Sequence, residues 1–385
     1  MRTAVTDLLG IEFPILGFSH CRDVVAAISK AGGMGVLGAV AHSPDQLEID
    51  LAWIEQEAGG RPYGVDLLIP EKYVGADRGG LDPAGLRGLL PEEHRRWLDD
   101  LLDRYGVPAA PRDHDDGTRE FAGRRIDPAS MAPLLDVAFS HRTGLVASAL
   151  GPPPAHLIDR AHRAGVAVAA LAGTTAHAVR HAEAGADLIV AQGTEAGGHT
   201  GQVATMVLVP EVVDAVAPTP VLAAGGIASG RQLAAGLALG AQGVWCGSVW
   251  LTTEEAETPP VVKDKYLRAS SSDTVRSRSI TGKPARMLRS AWTDEWETPD
   301  GPGPLAMPLQ PILVGDALRR IHRVAHHEGS GGHQLVTYFV GQVVGSLTTV
   351  KPTSRVVLEM VEEFIDTVQH LGALLDDEQP AAGPR

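Results

Sequence analysis

Val221-Leu222-Ala223-Ala224-Gly225-Gly226-Ile227, with Gly243-Val244-Trp245-Cys246-Gly247-Ser248 following it, is the part of the chain that decides the fold. Each stretch is a short apolar run ending in glycine. Without a Cβ the main chain can approach an anion closely and turn its amide N–H groups inward. A helical pattern then opens at Ser229, which adds the attraction of a helix N-terminus for phosphate. In eight-stranded parallel barrels the loops after the seventh and eighth strands commonly build one phosphate site together. These two stretches have the order and spacing to be those loops.

Working outward, apolar runs at 14–17, 35–39, 63–69, 145–150, 166–171, 187–192, 220–224 and 243–247 read as eight strands. Helical patterns at 23–31, 155–164, 175–184 and 229–239 lie between them. A repeated strand-plus-helix unit that never pauses for an antiparallel run points to an α/β fold of the TIM type, a closed (β/α)8 barrel, over residues 1–254. Two regions break the rhythm. Residues 71–127, rich in charge, Gly and Pro, form an insertion after the third strand with a helix at 91–105; leaving from a C-terminal strand end, it is expected to overhang the mouth as a lid. Residues 255–371 read as a mostly helical cap with helices at 259–269, 312–327 and 353–371, and the polar, Pro-containing 372–385 as a disordered tail.

Composition narrows the class. Aromatics are only 4% of the chain against 44% hydrophobic residues, which suits parallel strands packed under helices. A net charge of −14 argues against a nucleic-acid partner. The two cysteines, Cys21 and Cys246, are far apart and in apolar surroundings, so neither a disulfide framework nor a metal site is indicated, and a cytoplasmic setting is expected. No apolar run is long enough to span a membrane. A small-molecule substrate is therefore the expected partner. A homodimer fits the acidic surface and the long helical cap.

Between the sixth and seventh strands lies Gln192-Gly193-Thr194-Glu195-Ala196-Gly197-Gly198-His199. Its glycines leave the backbone nearly bare, able to lie against a planar ring or a phosphate, and Gln192 offers an amide that both donates and accepts. Together with Pro14-Ile15, Ala31-Gly32-Gly33-Met34-Gly35, Ala223 to Ile227 and Gly247-Ser248, this loop resembles the nitronate monooxygenase family, the 2-nitropropane dioxygenases, over about residues 8–254. The segment Val340-Gly341-Gln342-Val343-Val344-Gly345 is similar to the family's C-terminal part. The resemblance implies FMN across the barrel mouth. Leu16, Gly17 and Phe18 would touch the ring edges, Gln192, Gly193, Gly197 and Gly198 the ring or ribityl chain, and Gly225, Gly226, Gly247 and Ser248 the phosphate.

Two departures stand out. Where the family carries Asn in a Gly-Val-Asn strand, this chain has Gly64-Val65-Asp66; Asp66 remains a cofactor contact, but an acid does not donate as an amide does. Where many nitronate-oxidising members carry a catalytic His, this chain has Ala149. Loss of a general base removes about 10²- to 10⁴-fold in rate, so deprotonation of a nitroalkane is not expected, whereas a preformed nitronate needs no base. His199 is the substitute catalytic acid or base, with His20 and His141 as further candidates. The expected activity is FMN-dependent oxidation of alkyl nitronates with O2. The alternatives are an NAD(P)H-dependent oxidoreductase acting on a larger enone or enoyl-thioester, and a flavin-binding protein without nitronate activity. A lyase or isomerase using a Schiff-base lysine is disfavoured, since no lysine lies between Lys72 and Lys263.

Overall fold

Eight runs of small and branched residues pair in parallel and close on themselves. The computed structural model describes residues 1–68, 83–109, 128–149 and 151–376. Its strands, in chain order, are β1 (Ile15–Ser19), β2 (Met34–Gly38), β3 (Gly64–Leu68), β4 (Leu145–Ala149), β5 (Ala167–Ala172), β6 (Leu188–Gln192), β7 (Gly198–His199), β8 (Val221–Ala224), β9 (Gly243–Cys246), β10 (Thr274–Ser277) and β11 (Ala285–Leu288). The barrel runs β1-β2-β3-β4-β5-β6-β8-β9, and β9 returns to β1 with Ile15 opposite Val244 and Gly17 opposite Cys246.

Alternation along each strand divides the core into two layers. Leu16, Met34, Val36, Leu145, Ala147, Ala169, Leu188, Val190 and Leu222 fill the barrel with Val5 and Leu9 of the N-terminal helix Ala4–Leu9, which plugs the end at which the strands begin. Their neighbours Val65, Leu67, Val146 and Val168 face outward onto Leu47, Leu51, Ile54, Leu134 and Leu135 of the surrounding helices. Helix limits follow local chemistry: Thr174 caps Thr175–Glu183 through the His177 N–H, and Gly165, at φ 70°, ends Ala155–Ala164.

The region after residue 254 carries the expected helices together with strands that its sequence did not suggest. It contains Pro260–Arg268, Leu309–Val324 and Thr353–Asp376, but also the antiparallel pair β10–β11, which β7 extends to three strands. Four-residue strands whose third partner lies far upstream leave too short an alternation to read. The last helix runs to Asp376, so residues 372–376 of the expected tail are helical, and 377–385 lie outside the described residues. The described part of the insertion, with helices Pro83–Gly88 and Glu92–Arg104, docks on this cap: Trp97 packs on Trp296 with ring centroids 4.5 Å apart, and Arg104 and Tyr105 both reach Glu295. The rest of the expected lid, 71–82 and 110–127, lies outside the described residues.

Candidate functional site

β8 delivers Gly225 and Gly226 to the barrel mouth at φ 106° and 70°, conformations that a side chain disfavours. A Cβ at Gly225 would lie 2.6 Å from Thr205 Oγ1, and one at Gly226 3.3 Å from Glu195 Cβ. Beside them, Gly247 follows the end of β9 with open space where its Cβ would be. Ser248 then opens a short 3-10 helix, Ser248–Thr252. Its Oγ accepts a hydrogen bond from the Gly341 N–H at 2.8 Å, while the Gln342 N–H donates to Glu195 O at 2.9 Å. The chain's late segment therefore threads between the loop after β6 and the loop after β9. Glycine makes the crossing possible, since a Cβ on Gly341 would stand 2.6 Å from Glu195 O and one on Gly197 2.8 Å from Gly341 N.

The expected contribution of the helix after β8 needs correction. Gly230–Ala238 starts after Ser229, as read, but the Gly230 N–H donates to a Glu363 carboxylate oxygen at 2.7 Å and Arg231 pairs with the other oxygen at 2.6 Å. That helix N-terminus already holds an anion, supplied from residues far downstream.

After β6, Gln192 ends the strand and the glycine loop folds over the mouth. Glu195 accepts from Thr205 N at 3.0 Å and Thr205 Oγ1 at 2.8 Å, capping helix Thr205–Val216, whose own N-cap residue Ala204 has no side-chain acceptor. This function of Glu195 was not legible, because only the fold brings residue 205 back beneath the loop. A Cβ on Gly193 would overlap Thr205 Oγ1 at 2.0 Å, and Gly198 sits at φ 75° in β7.

Among the ring-edge residues, Leu16 is fully buried inside the barrel, and the missing Gly17 side chain makes room for Ile28 and Trp250 on the outer face. Phe18 stacks on Trp245 at 6.2 Å and meets the His20 ring edge at 5.1 Å. Asp66 projects inward, in register with Gly38 and Ala147. Burial pushes its carboxyl up to about 7, so near neutrality a large share of molecules carry an O–H there. In its protonated form this carboxyl donates as an amide does, and in its ionised form it only accepts.

His199 makes the two-residue strand β7, opposite Ala285, and its Nε2 lies 2.9 Å from Thr281 Oγ1. Burial, reinforced by Lys283, pulls its pKa down to about 4; it is neutral at pH 7, able to accept a proton but not to act as a cationic acid. His20 Nδ1 lies 2.9 Å from Gly38 O at the mouth end. His141 is at the other end of the barrel, before β4, between Glu48 and Glu55, and has no place in the site. Ala149 ends β4 on the inward side.

Two residues escaped the sequence reading. Arg286 donates from Nε to Thr194 O at 2.8 Å and from Nη1 to Thr274 Oγ1 at 3.0 Å, and Arg276 donates from Nη2 to Thr200 O at 3.2 Å. Both guanidinium groups lie against the glycine loop. The residues at the mouth fit a flavin mononucleotide: bare main chain at Gly225, Gly226 and Gly247 for a phosphate, donors at Gln192 and Asp66, and the Phe18–Trp245 pair for a ring system. The Gly226 N–H makes no hydrogen bond to any described residue, as an anion cradle requires.

Known proteins match the chain over nearly its whole length. The family model described as Nitronate monooxygenase matches residues 2–363. A Mycobacterium tuberculosis protein, provisionally named a monooxygenase, is 67% identical over 375 residues, covering 97% of this chain and 100% of that one. Of the solved structures, nitroalkane oxidase from Streptomyces ansochromogenes superposes with a TM-score of 0.77 at 27% identity, over 96% of this chain and 100% of that one. FabK from Thermotoga maritima gives a TM-score of 0.71 at 28% identity, over 97% of this chain and 99% of that one.

Proposed function

The chain belongs to the nitronate monooxygenase family and is a flavin-dependent oxidoreductase, and from that premise we propose that it binds FMN and oxidises preformed alkyl nitronates with O2. The observation that carries the substrate form is that alanine, which cannot act as a base, stands at position 149 at the end of β4. Ala149 cannot take a proton, and His199, neutral though it is, has Nε2 engaged with Thr281 in the β7–β11 sheet. Without a base at the β4 end, a neutral nitroalkane stays protonated at carbon, while a nitronate arrives already ionised.

Bound FMN would supply the redox chemistry. The chain's own residues bind and orient. Gly225, Gly226, Gly247 and Ser248 would take the phosphate, with Gly341 fixing the Ser248 hydroxyl. Gln192 and protonated Asp66 would donate to the ring heteroatoms, and Phe18 and Trp245 would keep water from its edge.

An anaerobic spectrum of the purified yellow protein tests this. Ethylnitronate should bleach the flavin, and neutral nitroethane should bleach it at least about 10²-fold more slowly. Introducing Ala149→His should raise the nitroethane rate and leave the nitronate rate nearly unchanged. Equal rates with nitroethane and ethylnitronate in the native chain would overturn the reading. The similarity to FabK supports a second one, an NAD(P)H-dependent reductase of an enone or enoyl-thioester. Bleaching by NADH or NADPH but not by nitronate would select it, and colour that none of these bleaches would leave a flavin-binding protein without either activity.

A further inference from the structure

Between Asp273 and Asp294 the chain has no acid but five basic residues, Arg276, Arg278, Lys283, Arg286 and Arg289, in a protein of net charge −14. This run folds as the β10–β11 ribbon and lies against the loop after β6. Arg276 and Arg286 are direct cross-strand neighbours, and Arg286 is in turn opposite Gly198, above which a side chain would meet nothing within 4 Å. Two guanidinium groups and a bare glycine thus form a row across the three-stranded sheet.

Like charges directly opposed destabilise a ribbon, and Arg286 is only 7% exposed. Among the described residues neither arginine has a carboxylate within ion-pair distance, 4.0 Å. The acid that acts on Arg286 is Glu195, whose oxygens are committed to Thr205. Holding the loop explains only part of the arrangement. It uses one donor of Arg276, with two of Arg286 going to Thr194 and Thr274, whereas a guanidinium has five N–H groups. The Nε–H of Arg276 is buried without a partner. Such a donor, beside a second uncompensated cation, costs stability until an acceptor arrives.

We propose that Arg276 and Arg286 form the receptor for a planar two-oxygen anion carried by the substrate, a nitronate or a carboxylate. The proposal rests on the reading of the barrel mouth as the nitronate-oxidising site. The planar fork of a guanidinium matches both oxygens of such a group at once, which a lysine cannot do. Lys283, close enough to depress His199, adds to the positive field. The arginines also answer the loss of the base at residue 149: the site selects the ionised form instead of generating it. The phosphate of the cofactor has its own cradle of glycine main chain and Ser248, leaving the guanidinium pair for the substrate.

The test uses the flavin-loaded protein and propionate, which has the size, charge and two-oxygen head of ethylnitronate but does not react. Propionate should perturb the flavin absorbance of the native protein saturably. Arg276→Gln and Arg286→Lys should each weaken that binding by at least about tenfold. They should raise KM for ethylnitronate by a similar factor, with kcat kept within about twofold. Arg276 is the less buried of the two, so Arg276→Gln alone decides the matter should Arg286→Lys not fold. Unchanged propionate binding in folded variants would overturn the proposal. So would variants that lose affinity for FMN while binding riboflavin normally, because the pair would then serve the cofactor phosphate. Propionate binding that depends on both arginines, in a protein that nitronate does not bleach, would sustain this receptor and defeat only the proposed reaction.

Discussion

Asp66 shows how one position can change its chemistry when the fold buries it. Its carboxyl, ordinarily near 3.8, is pushed up to about 7 by burial inside the barrel, so the folded chain keeps a proton that the unfolded chain has lost. Folded protein therefore binds more protons than unfolded protein between those values, and stability falls as pH rises from about 4 to about 7, by on the order of 4 kcal/mol at most. His199, pulled from 6.5 down to about 4, has the opposite sign in nearly the same window, since protonating it costs the folded state. The two slopes partly cancel. Asp66→Asn should remove the falling one, making the flavin-free protein markedly more stable than the native chain at pH 8 and little different at pH 4. Denaturant melts at both values measure this, and equal pH dependence in the two proteins would refute it. In the holoprotein the amide should still donate to the flavin, so colour is retained.

Helix ends show where local reading stops. Ser229 caps Gly230–Ala238 through the Gln232 N–H, as the residue type suggests, but the Gly230 N–H is satisfied by Glu363 from the C-terminal helix. Room for that helix depends on Gly230 itself, since a Cβ there would stand 2.2 Å from Met360 O. Glu363→Ala should cost about 1 kcal/mol, the usual worth of a cap, read as a lower urea midpoint with unchanged slope. An unaltered midpoint would show that Ser229 suffices. The same relation holds for Thr205–Val216, which begins at Ala204 without a cap of its own and takes one from Glu195. Neither acid could be assigned from its own neighbourhood, because each serves a helix to which it does not belong.

In the assembled molecule the barrel and the segment after residue 254 share one site. Gly341 brings the late chain against Glu195, Gly197 and Ser248, with its N–H on the Ser248 hydroxyl. Gly341→Val leaves every barrel residue intact and needs no unusual backbone, yet its Cβ would press on Glu195 O at 2.6 Å. FMN affinity should drop by at least about tenfold, since the shift displaces Ser248, the group proposed to hold the phosphate. Gly372→Ala, at a position with nothing within 4 Å, is the matched control and should keep its flavin. Equal flavin content in both variants would separate the late segment from the site. The barrel itself was legible in the residues. Eight apolar runs and the glycine pairs at 225–226 and 197–198 announce strands and bare loops, because each depends on the period and size of neighbouring side chains, whereas the alanine at 149 gained meaning only through the resemblance to the family. Which residues meet across the mouth depended on closure. The Glu195 cap, the Gly341 crossing, the neutralised Asp66 and the Arg276–Arg286 pair join positions separated by 10 to more than 100 residues, or turn on desolvation, and neither long-range contact nor burial is written in local periodicity.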